Sequence, residues 1–439
     1  MGFLGPLRKR AMDAFLKQGL PGRKSEEYKY SNPEKLFRGA SIKPESLGLE
    51  SVNFNVSGLE KKPSVLDLKK LDKALQAFEI KGVSENRVVL VNGVYIQELS
   101  ALPDMPEGVL ICSLAGALTD YRSLLEKHFS KYADVEADPF IALNTAYAGD
   151  GLFMRVAEGV TVGKTIHILN VITDEASALL NKRNLILLER SAEVDVVEST
   201  VVVSEEVNVG RNVVNELSEL ILDEQSRLRF YRMQQDCEGL NLISTVQVLQ
   251  KASSHFDTHT ITLSGDWMRN NLNIVVDAER CETHLNGLYI TRGIQHVDNH
   301  TLVDQRKPNC ESNQLYKGIL ADKSTGVFNG KIFVRRDAQK INAYQSSKTI
   351  LLSDDATVNT KPQLEIYAND VKCSHGSSTG HLDEEAMFYL RSRGLSEESA
   401  KRMLLYAFAS DVVDTIRIEP LRAYANDLIS KQLDFDIKK

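Results

Sequence analysis

Between residues 150 and 370, short apolar triplets return at intervals of roughly 13 to 18 residues. No other feature constrains the chain as strongly. The triplets are Ile261–Leu263, Ile274–Val276, Leu288–Ile290, Thr301–Val303, the pair Ile319-Leu320, Ile332–Val334, Ile350–Leu352 and Leu364–Ile366. Every second one returns after about 27 to 32 residues, within the range of solenoid repeats. Polar turn residues separate them, among them Asp304, Asp322, Asp337 and Asp354. Each rung leaves an apolar face open until the next stacks on it, so such an array is built as a whole. The pattern predicts a parallel β-helix with two principal sheets and one triplet per sheet per turn. An antiparallel meander gives similar spacing. The β-helix is preferred because the bends lack a consistent two-residue hairpin code.

Both flanks have a different character. Residues 2–19 have helical spacing, with Leu7, Ala11, Ala14 and Phe15 on one face and Gly19 as the stop. The segment KSEEYKYSNPEKLF (24–37) reads as a short helix or turn lying on another surface. Helical stretches follow at 66–80 and 114–132, and NRVVLVNGVYI reads as a hairpin closed by Asn92-Gly93. After His381 the chain is helical again, with Ser396 capping a helix whose Met403, Leu404, Ala407, Phe408 and Val412 form an apolar stripe. That stripe is expected to dock on the solenoid end, with a partner groove as the alternative. The domains expected are 1–135 (helical and α/β), 136–380 (β-helix core) and 381–439 (helical).

Composition narrows the function. A formal net charge of −7 argues against a nucleic-acid grip spread over the surface. No apolar run approaches a membrane span, and MGFLGPLRKRAMDAF lacks the apolar core of a signal peptide. The five cysteines are scattered, with no C-x-x-C among them, as expected of a reducing cytoplasm.

Chemistry concentrates in PQLEIYANDVKCSHGSSTGH (362–381). Its first half alternates apolar and polar residues as a half-buried strand does. Cys373 and His375, two positions apart, would project from one strand face, and Gly376 and Gly380 are expected to break the strand. A soft sulfur beside a borderline nitrogen is half of a transition-metal site, which a second chain or a cofactor must complete. On spacing alone, a buried thiol and a hydrogen-bonded core histidine are the commoner outcome.

Other motifs carry less. GVTVGKT (159–165) has three residues between its glycines where a phosphate loop needs four, and it continues into a strand, so no nucleotide site is expected. His255 with His259, and His296 with His300, sit at four-residue spacing on strands, where a helical metal pair does not form. They read as solvated or core histidines. No nucleophile–base constellation appears. Polysaccharide-acting enzymes also use β-helices, but the carboxylate or Arg/Lys cluster they need along a groove is not identifiable.

The block from Lys361 to Val413 resembles the C-terminal hallmark of the SufB/SufD family of iron–sulfur cluster assembly proteins. Upstream, HLNGLYITRGIQHVDNHTLVDQ, the stretch from Ser312 to Gln345, and GLPGRKSEEYKYS agree with it. The resemblance implies a right-handed parallel β-helix flanked by helical termini. It also implies a non-catalytic scaffold working with a SufB-like paralogue and a SufC-like ABC ATPase that supplies ATP hydrolysis. SufB-type members are expected to carry a cysteine in a G-x-x-C-G-A-H-T-like segment. Here Ser353–Thr360 holds neither cysteine nor histidine, so the chain is closer to the SufD type, with the SufB type as the alternative. The resemblance further implies that His375, with Cys373 less strongly, meets iron or a transient iron–sulfur cluster at the SufB-like interface. Ile366 and Val371 would lie at that interface, and Leu404 and Phe408 on the helices that meet the ATPase. The isolated chain could pair as a homodimer.

Overall fold

A computed structural model describes residues 3–39, 68–103, 105–173, 179–204 and 212–437. Its strands form two sheets, one of ten and one of nine strands, and from Leu152–Val156 onward successive strands alternate between them. Within each sheet the solenoid strands run parallel. Asn241 lies beside Trp267 and Leu179 beside Val213, so one turn takes between 26 and 34 residues. The triplets fall at the ends of these strands, one per sheet per turn, and the meander is excluded. Among the described residues, antiparallel strand pairing occurs only at the starting edges, where Arg87–Val91 meets Val94–Tyr95 and Val109–Ser113 meets Leu152–Val156. Asn92 and Gly93 close that hairpin with φ of 48° and 78°, the left-handed pair its tight turn requires.

One residue of every two points inward, and these inward rows make the main core, from Val88 through Phe230 and Ile274 to Val334 and Ile341. Polar residues run through the same interior. Lys182, Glu198, Glu216 and Arg232 form a closed ring of ion pairs, each side chain at most 5% exposed.

The flanks cover the outer faces of the sheets. Helices Leu4–Gln18 and Pro139–Tyr147 pack against Val213, Leu217, Ile243 and Trp267 of the nine-stranded sheet. The short turn Glu26–Tyr28 lies on that sheet too: Arg269 sits 3.9 Å from the centre of the Tyr28 ring and donates to the Glu27 carbonyl at 2.9 Å. Helices Glu397–Val413 and Glu419–Ile437 lie across the ten-stranded sheet, on Tyr231, Met233, Ile261, Leu263, Leu288, Ile290 and Ile319.

This last placement differs from the expected docking on the solenoid end. On the ten-stranded sheet the outward members of the triplets, Ile261 with Leu263 and Leu288 with Ile290, are apolar, so that outer face needs a cover. The buried helix face is Ala400, Leu405, Ala409, Val412 and Val413, with Ile416 buried just past the helix end. It lies beside the expected stripe and shares only Val412 with it. Helix 114–132 also differs, breaking at Tyr121 into Leu114–Asp120 and Arg122–His128.

Candidate functional site at the open rung

Because the helices cover a face, the last rung of the solenoid is left without a further turn. It consists of Thr357–Ile366, at the edge of the nine-stranded sheet, and Val371–Gly380, at the edge of the ten-stranded sheet. The 362–381 stretch is thus two strands in two sheets. The second runs through Gly376 to Gly380 and does not break at Gly376, because the ladder to Ile341–Leu351 holds it in register.

That register fixes which way the site residues face. Val371, Cys373 and His375 lie beside Ile341, Ala343 and Gln345, all inward-facing and buried. Cys373 and His375 therefore share the inner face, as i and i+2 on a strand must. One turn earlier Ile341 and Val334 are completely buried, whereas Val371 is half-buried and Ile366 is 39% exposed. Among the described residues, nothing covers the interior there. It presents an apolar half (Leu364, Ile366, Val371, Cys373) and a polar half, where Thr360 and Ser377 hydrogen-bond across the two sheets at 2.9 Å. His375 is exposed in the polar half. Burial pushes the Cys373 thiol above its ordinary range, so at neutral pH it carries its proton.

Among the described residues no three His, Cys, Asp or Glu side chains converge as a metal site. The paired histidines lie apart and have structural partners. His255 and His259 face outward from one sheet, His296 and His300 from the other. His255 meets Glu282 at 3.0 Å, and His300 Nε2 lies 3.0 Å from Asp298. Burial holds His259 neutral, down to about 3, and its Nε2 lies 2.7 Å from the Thr415 hydroxyl. His296 stacks on Trp267 at 5.6 Å and meets Ser31 at 2.7 Å. The GVTVGKT segment is a loop that leads into strand Ile166–Thr173.

A second surface lies where the chain leaves the last strand. Helix Glu384–Ser392, capped by Asp383, exposes Phe388 (74%) and Tyr389 (57%), and Met403 on the next helix is 50% exposed. A cavity of about 440 Å³ lies among Leu351, Leu352, Leu382, Met387 and Phe388. Phe388 and Tyr389 escape a reading based on periodicity; the signal was two adjacent aromatics within a charged helix. Leu404 and Phe408 are half-buried. The Phe408 ring holds the Lys317 ammonium at 4.2 Å, and Lys317 also pairs with Asp411, so this part of the helix grips its own sheet.

The class these features define is a two-sheet parallel β-solenoid whose final rung, with Cys373 and His375 on its inner face, is uncovered among the described residues. Comparison with known proteins agrees with that class. Residues 170–408 match the SufBD core domain of the SUF system for FeS cluster assembly, and residues 65–168 match the SufBD protein N-terminal region. An iron–sulfur cluster assembly SufBD family protein of Synechocystis is 30% identical over 365 residues, 81% of this chain and 80% of that one. The iron–sulfur cluster assembly protein SufD of Escherichia coli is 28% identical over 431 residues, 98% of this chain and 93% of that one. SufD of Bacillus subtilis is 26% identical over 74% of each chain. The chain belongs to the SufBD family of the SUF iron–sulfur cluster assembly system.

Proposed function

We propose that the chain is the SufD-like, non-catalytic scaffold subunit of a complex with a SufB-like paralogue and a SufC-like ABC ATPase, working in the cytoplasm. The observation that carries this is the open rung. Ile366 and Val371 are interior residues with no rung above them, and His375 stands exposed on the same inward row. Edge strands offer unpaired N–H and C=O groups to another chain's strands, and the exposed apolar half would be buried by the same contact. A SufB-like partner would then set its own ligands against His375. Iron or a nascent cluster, the cargo of the complex, would be held between neutral imidazole and partner thiolate, and separating the chains would release it. Cys373, protonated and half-buried, supports the site from below. The Phe388, Tyr389 and Met403 surface is the seat of the ATPase, so nucleotide stays off this chain.

Affinity purification of the tagged chain from its native cell extract, read by mass spectrometry, tests the complex. The paralogue and the ATPase are expected in stable ratio with the bait. Recovery of the chain alone, or as a homodimer without either, would contradict the reading.

A further inference from the structure

Directly before His375 in the ladder, one turn back, stands Gln345, an inward side chain only 3% exposed. Its amide is oriented from the earlier rungs. Gln314 Nε2 donates to Thr301 Oγ1 at 2.6 Å, and Gln345 Nε2 donates to Gln314 Oε1 at 3.0 Å. Each amide N–H₂ of the file thus faces the preceding member, and each amide oxygen faces the following one. Gly330 makes room for the last of them, since a β-carbon there would stand 1.9 Å from Gln345 Nε2. What the file leaves over is Gln345 Oε1, buried and without a hydrogen-bond partner. A buried acceptor left unpaired carries a free-energy cost, and a native interior has few of them. The next side chain on this inward row is the exposed imidazole of His375.

Resting on the ligand reading of His375, we propose that Gln345 is its positioning residue. The Gln345 Oε1 accepts one ring N–H of neutral His375, which fixes the tautomer and leaves the other ring nitrogen bare for iron or the nascent cluster. Metal-binding imidazoles generally donate their second nitrogen to a carbonyl or carboxylate, which sets ring orientation and basicity. Here the acceptor is a neutral amide held from within the solenoid by Gln314 and Thr301. The file gives its direction, and the open rung gives the ring space to turn inward.

The test labels the histidine rings of the full chain with ¹⁵N, with His375→Ala identifying the His375 resonances among the 9 histidines. At a pH where the ring is neutral, wild type is expected to show two well-separated ring-nitrogen shifts, those of a single tautomer. Gln345→Met, similar in shape but lacking the amide, should draw both shifts toward the tautomer average, and Gln345→Glu should keep them apart. Gln345→Leu serves as a second acceptor-free variant if the methionine variant does not fold. In the co-purified complex, loss of the amide should weaken iron(II) retention about 10- to 100-fold. Ring shifts that do not move in an acceptor-free variant overturn the proposal, whatever His375→Ala does to cluster yield. Shifts that move while His375→Ala keeps wild-type cluster yield support the positioning contact and overturn the ligand reading alone, so the two failures are told apart.

Discussion

Glu216 shows how single residues decide the stability of the interior. Burial pushes its carboxyl up, but Lys182 and Arg232 outweigh burial and hold it down to about 2. In the unfolded chain the same group titrates at about 4.3. A carboxyl lowered on folding stabilises the fold fully above its unfolded value, and that contribution is lost as pH falls through the folded one. Asp298 is lowered in the same way: burial pushes it up, and His300 and Arg269 outweigh that. Thermal unfolding followed over a pH series should therefore show Tm falling steeply from about pH 4.3 toward pH 2, and Glu216→Gln should flatten that slope. A slope unchanged by the substitution would remove Glu216 from the account. Glu216→Leu at neutral pH leaves Lys182 and Arg232 with one carboxylate, Glu198, between them. A loss of about 3–5 kcal/mol is expected by chemical denaturation. At the other end of the interior, Cys373→Ala should lower cluster yield less than His375→Ala does, because the thiol is protonated and packed against the core.

Among the elements, the last two strands and the helix after them are the proposed interfaces. Ile366 closes Thr357–Ile366 and Val371 opens Val371–Gly380, so the two residues flank the bend between the sheets. Val371→Asp or Ile366→Asp places an unpaired charge in the apolar half of the open rung and should weaken pairing with the SufB-like partner, read by size-exclusion chromatography. An unchanged elution profile with the partner present would place the contact elsewhere. Phe388→Asp with Tyr389→Asp should abolish co-purification of the ATPase and leave Tm unaltered, since both side chains are exposed. Retention of the ATPase would refute that seat. Point substitutions are the right tool here. Deleting everything after Gly380 would uncover Ile261, Leu263, Leu288, Ile290 and Ile319 on the sheet beneath the helices and so perturb the solenoid as well.

These elements also show what the sequence made legible. The strand ends, their alternation between two sheets, the Asn92-Gly93 turn and the Ser396 cap follow from local chemistry, and each appears where local chemistry puts it. The Cys373 and His375 face was legible because the period of a strand is two. Register across turns was not: that Gln345 stands beside His375 depends on the 29 intervening residues of bend and strand, whose length no local rule sets. The helix face chosen from spacing lay one residue off, because neighbouring stripes of Leu and Ala on Glu397–Val413 are equally apolar and only the sheet beneath selects between them.

Taken whole, the molecule is a stack whose faces both terminal regions cover and whose final turn none of the described residues covers. The interior rows run from Lys182 to that turn, and His375 stands where they stop. The central claim is that His375 works there on cargo and is not a strut of the fold. The measurement that tests it most directly is iron–sulfur cluster yield on the co-purified complex, wild type against His375→Ala, with Tm and partner content recorded on the same samples. The account predicts unchanged Tm, unchanged partner content and a cluster yield lower by at least about tenfold. Wild-type yield, or a variant that loses its fold before it loses its cluster, would contradict it.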